Sequence, residues 1–122
     1  MQDICCGREK EHEEIVNKSK MKALSAEEME KAGRIFFLLS EPSRLKIVLA
    51  LLNGALCVHH LTEISGGTTS AVSHQLRLLR DNQLVTAKKI GKNVEYSLAD
   101  GHICEIVEAC AAHLECAVGE EK

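Results

Sequence analysis

At 122 residues the chain is long enough for one domain with a modest core, and its 45% hydrophobic content suits a globular protein. Aromatic residues make up only 2%, so that core must rest on Leu, Ile, Val and Ala. A net charge of −3 argues by itself against nucleic-acid binding, and no run approaches the roughly 20 apolar residues of a membrane span.

Residues 1–24 are polar and charge-mixed ("CCGREKEHEE", "NKSKMK") and read as a flexible N-terminal arm, helical in part. They contain no apolar signal-peptide centre, which predicts a cytoplasmic protein whose six cysteines stay reduced. Residues 25–122 read as one folded domain. Ser25 followed by Glu28 forms a capping box that opens a helix to about Leu39. "SEPSRLKIVLALLNG" places Pro42 in a first turn, an apolar face at Leu45, Val48, Leu49 and Leu52, and Gly54 at the end. A short helix follows over "CVHHLTEIS", closed by Gly66-Gly67. Thr68 then caps "TTSAVSHQLRLLRDN". "LVTAKKIGKNVEYSLA" reads as two strands around Gly91-Lys92-Asn93, and "DGHICEIVEACAAHLEC" as a last helix. The expected fold is mainly α with a small β-hairpin, a winged helix-turn-helix.

The helix opened by Thr68 carries two stripes. At about 100° per residue, Val72, Leu76 and Leu79 fall together and belong in the core. Ser70, Ser73, His74 and Arg77 share the opposite stripe, where small hydroxyls and longer donors suit a helix entering the DNA major groove. Gln75 lies nearer the core side but joins the candidate readers. Lys88, Lys89 and Lys92 on the hairpin would flank the same groove. Charge is also divided: residues 68–98 carry +3 and residues 99–122 carry −5, so a basic segment can meet operator DNA despite the acidic whole.

The last helix carries candidate metal donors. His102, His113 and Cys116 fall at about 200°, 220° and 160° from Asp100, on one face. His102 and His113 are nevertheless roughly 16 Å apart along the axis, far beyond zinc bonds of about 2.0–2.3 Å. One helix cannot close this site, but two antiparallel copies can. Around a two-fold axis, residues at one level share the same sum of residue numbers: 215 for His102 with His113, and 216 for Asp100 with Cys116. An axis near Val107 and Glu108 would give a homodimer two symmetric four-donor sites, with Ala109 allowing close approach. Mixed N, O and S donors suit Zn(II), and the thiolate extends the range to Cd(II) or Pb(II). Cys110, among Ile103, Ile106, Val107 and Leu114, reads as a small core residue. Cys104 sits at the edge of the glutamate face. A second, thiolate-rich cluster combines Cys57 and His60 with His59, and with Cys5 and Cys6 of the arm.

The pieces "EPSRLKIVLALL", "LCVHHL", "SAVSHQLRLLR", "LVTAKKIGKNVEYSL" and "DGH" followed after ten residues by "HLEC" resemble the ArsR/SmtB family of winged-helix metal-sensing transcriptional repressors, over about Ala32 to Cys116. The resemblance implies a homodimer that represses an operator-promoter when metal-free, leaves DNA when metal binds, and controls metal efflux or sequestration genes. Asp100, His102 and His113 match the last-helix pattern of the zinc-sensing branch, and Cys116 departs from its final Glu or His. In the family's other site, Cys-Val-Cys-Asp, Cys57 is kept while His59 and His60 replace the next two ligands. The family's DNA-reading serines and histidine fall on Ser70, Ser73 and His74. Two other readings use the same residues. One is a thiol sensor for arsenite or oxidants, through Cys57 with Cys5 and Cys6 or through Cys104 with Cys110; the other is a metal-buffering protein. No His-Glu-x-x-His motif or open three-ligand site with a placed base occurs, so an enzyme is not expected.

Overall fold

The computed structural model describes residues 7–120, with side chains through Glu115. The elements in order are α1 (Glu9–Met21), α2 (Ala26–Ser40), α3 (Pro42–Leu51), β1 (Leu56–Cys57), α4 (Val58–Ser65), α5 (Thr69–Asp81), β2 (Val85–Ile90), β3 (Asn93–Leu98) and α6 (Gly101–Glu120). The chain divides into two units, one ending at Gly33 and one beginning at Arg34.

In the first unit, α1 buries no residue and holds its ends electrostatically: Glu9 and Glu11 lie in its first turn, Lys18 and Lys20 in its last. The capping box forms as the sequence predicts. The Ser25 N–H donates to Glu28 Oε1 at 2.9 Å, and the Glu28 N–H donates to Ser25 Oγ at 3.1 Å. These bonds hold the Glu28 carboxyl below the usual range, the Ser25 amide contributing most.

The second unit packs the end of α2, helices α3 to α6 and a three-stranded sheet around aliphatic side chains. Ile47 and Val48 of α3, Leu61 of α4, Leu76 and Leu79 of α5 and Leu84 and Val85 are fully buried. Each such side chain contributes about 1.5–3 kcal/mol by leaving water. The face of α3 differs from the expected one. Ile47, Val48 and Leu51 enter the core, whereas Leu49 is exposed and Leu45 and Leu52 are half-buried. The helix is apolar on two sides, so periodicity alone could not choose between them.

The hairpin turns on two residues, Gly91 and Lys92, and Gly91 adopts φ +63°. Asn93 pairs with Ile90 and so belongs to β3, not to the turn. β1 was not expected. Two residues are too short to show alternation, yet Leu56 pairs with Tyr96 and Cys57 with Glu95, giving the order β1-β3-β2. Gly66, at φ +77°, ends α4 in the left-handed region and lets the chain turn sharply into α5. Among the described residues, no helix is long and apolar enough to cross a membrane.

Candidate DNA-reading helix and metal donors

Helix α5 starts where Thr68 Oγ1 accepts the Ala71 N–H at 3.1 Å. Val72, Leu76 and Leu79 are 3%, 0% and 0% exposed, which anchors one side of the helix in the core. That anchoring turns Ser70, Ser73, His74 and Arg77 outward, all exposed, and with Thr69 they line an open hollow of about 370 Å³. Lys88, Lys89 and Lys92 are exposed on the hairpin.

Gln75 is placed differently from the other candidate readers. Its Nε2 donates to Ser43 Oγ at 3.1 Å, and its Oε1 accepts from Arg44 Nη1 at 3.2 Å. Arg44 is buried, and its Nε donates to the Leu38 carbonyl at 2.9 Å. Ser43 Oγ donates to Glu41, whose carboxylate also accepts the Arg44 N–H at 3.0 Å as the cap of α3. Hydrogen bonds from Ser43, then from the Arg44 amide, hold the Glu41 carboxyl below its usual range. The Gln75 amide is thus committed to joining α3 and α5.

At the start of α6, Asp100 Oδ1 accepts the N–H groups of His102 at 2.9 Å and Ile103 at 3.2 Å. His102 Nδ1 stands 3.5 Å from the same oxygen. Neither cap bond uses Oδ2, so the carboxylate keeps an oxygen for a further partner. His113 is exposed farther along α6, and Cys116 follows it on the same helix with its side chain outside the described residues. Among the described residues, no three His, Cys, Asp or Glu side chains gather around one point. The donors stand as two halves of one exposed face.

The second cluster is partly assembled. Cys57 Sγ lies 3.2 Å from His60 Nδ1, and the His59 ring meets the His60 ring edge-on at 5.6 Å. Cys57 is half-buried at the head of α4, and both histidines are exposed. Cys5 and Cys6 lie outside the described residues.

Two surface features escaped the sequence reading. An apolar groove of about 300 Å³ runs between the end of α2, α3 and α6, lined among others by Phe36, Leu45, Leu49, Ile106 and Leu114. Cys110 lines it and is exposed, not a core residue, because α6 carries more apolar surface than this chain covers. A polar hollow of about 420 Å³ lies between α5 and β3, lined by Ser73, Arg77, Arg80, Asp81 and Tyr96. Arg80 falls three residues after Arg77 and seven after Ser73, a helical spacing visible in the sequence. The part of Tyr96 depends on strand pairing and has no such signal.

Residues 41–87 match the bacterial regulatory protein, arsR family. The transcriptional repressor SmtB homolog of Synechocystis sp. is 37% identical over 110 residues, covering 90% of this chain and 83% of that protein. The cadmium resistance transcriptional regulatory protein CadC homolog of Staphylococcus aureus is 38% identical and covers 84% of each. The solution structure of apo-NmtR is similar with a TM-score of 0.65 and 38% identity, over 76% of this chain and 78% of that one.

Proposed function

The chain belongs to the arsR family of bacterial regulatory proteins, and from that premise we propose that it is a cytoplasmic metal-responsive repressor. It binds operator double-stranded DNA as a metal-free homodimer and releases it on binding Zn(II), Cd(II) or Pb(II), controlling genes of metal efflux or sequestration. One observation carries the reading. The donors of α6 share an exposed face, yet Asp100 with His102 and His113 with Cys116 stand at opposite ends of it. Only a second copy running the other way completes each half.

The groove beside that face supports the pairing. Phe36 and Leu114 are each 61% exposed, and a second copy would remove such surface from water. Asp100 and His102 would hold the ion from one subunit, with His113 and Cys116 of the partner subunit. Bound there, the ion supplies a four-donor bond between two helices that otherwise touch only through side chains. The chain's own part is to present Ser70, Ser73, His74 and Arg77 from two α5 helices at the spacing of two DNA half-sites, about 34–36 Å. A dimer held at another angle loses contacts on both halves. Names among the relatives, a cadmium resistance regulator and a repressor, agree with this reading.

Linkage supplies the test. If metal weakens operator binding, operator must weaken metal binding by the same factor. Zinc is titrated into the protein with and without operator, and into His113→Ala. The proposal expects a weaker zinc affinity in the complex and loss of response in the variant. Equal affinities end the derepression model, and a response kept by His113→Ala moves the sensing to the thiols.

A further inference from the structure

The reader stripe does not account for the whole polar surface of α5. Ser73 and Arg77 line two hollows at once: the one they share with Ser70 and His74, and the one they share with Arg80, Asp81 and Tyr96. The helix surface therefore forks. Its N-terminal half carries short hydroxyls and an imidazole, suited to base edges in a groove. Its C-terminal half offers two guanidinium groups one turn apart, both exposed, beside a strand of the wing. Guanidinium is the side chain best matched to a phosphodiester, because its planar donors meet two oxygens together.

We infer that the hollow between α5 and β3 is a backbone-phosphate site, in which Arg77 and Arg80 grip the operator strand that crosses from the recognition helix to the wing. The inference rests on the DNA-binding reading and adds residues to it. Tyr96 forms the far wall. It is half-buried and paired with Leu56 on one side and Ala87 on the other, so that wall is held by the sheet. Arg80 also lies in the last turn of α5, where a cation complements the helix dipole. That structural role predicts a change in melting temperature and none in salt dependence. Asp81 lines the same hollow and is exposed. Its carboxylate opposes a phosphate there and weakens the grip, which fixes the sign of a second variant.

The test measures affinity for two duplexes, an operator selected from random-sequence DNA and an unrelated sequence, between about 50 and about 200 mM salt. Arg80→Ala should lower the slope of log affinity against log salt by about 0.9, the signature of one lost phosphate contact. Across that range its affinity becomes about 3-fold less salt-sensitive than that of the unaltered chain. The loss should be equal on both duplexes, and Arg80→Lys should keep the slope. Asp81→Asn should tighten both by at least about 2-fold at low salt, the gain shrinking as salt screens it. An unchanged slope in Arg80→Ala, or a loss confined to the operator, overturns the phosphate site while the DNA-binding reading stands. So does an Asp81→Asn variant that binds no better, which decides the matter if Arg80→Ala fails to fold. An unaltered chain that binds neither duplex overturns both.

Discussion

Arg44, a buried cation on α3, donates from Nη1 to Oε1 of Gln75 on α5 at 3.2 Å. The same guanidinium reaches the Leu38 carbonyl near the end of α2, so three helices meet at one charge. A buried charge tolerates the loss of an acceptor poorly.

Gln75→Leu is therefore expected to cost about 1–3 kcal/mol of stability, since Arg44 loses an acceptor that water cannot readily replace. Urea unfolding measures it. Base preference in operator selection should be unchanged, whereas Ser73→Ala or His74→Ala should relax it. A shift of base preference in Gln75→Leu would make Gln75 a reader after all.

Glu41 gives a pH dependence. Its carboxyl lies below the usual range in the folded chain because Ser43 and the Arg44 amide bond its charged form. A depressed carboxylate contributes stability that is present above the unfolded value, near 4.5, and is lost as pH falls through the folded one. Glu41→Gln should flatten that acid limb in denaturant melts and leave the melts at neutral pH less separated by pH. Superimposable acid limbs would contradict the assignment.

Asp100 has two separable tasks, capping α6 and offering Oδ2 to a metal. Asp100→Ser keeps an oxygen at the cap, so its stability should stay within a few tenths of a kcal/mol, whereas Asp100→Ala should lose about 1 kcal/mol. Both should bind zinc more weakly. Full zinc affinity in Asp100→Ser would remove Asp100 from the ligand set.

The groove makes a different demand. Leu49 lies on α3, is 39% exposed and belongs to no donor set. Leu49→Glu should leave a folded monomer, seen by sedimentation, that binds zinc weakly although every α6 donor is intact. A dimeric Leu49→Glu chain would place the subunit contact elsewhere.

Much of this was legible in the residues. The stripe of Val72, Leu76 and Leu79 assigned the inner side of α5, and Ser25 with Glu28 marked the start of α2, because both signals are local and periodic. What escaped depends on long-range pairing. β1 exists only because β3 returns beside it, and Gln75 joins Ser43 and Arg44 across more than thirty residues. The second apolar side of α3 and the exposed Cys110 misled the reading for one reason: burial within a chain and burial between chains select the same residue types. The donor face of α6 was legible in its spacing, but its completion lies in a second molecule.

The central claim, that each metal site takes half its donors from each subunit, is tested most directly by complementation. His102→Ala and His113→Ala chains are prepared separately, then mixed so that subunits exchange, and tight zinc binding is counted. Each variant alone should have lost both sites. A mixed dimer keeps one intact site, made from Asp100 and His102 of one chain with His113 and Cys116 of the other. An equal mixture should therefore recover about a quarter of the unaltered capacity. Recovery of no tight sites after proven exchange, or full zinc affinity in a monomer, would contradict the account.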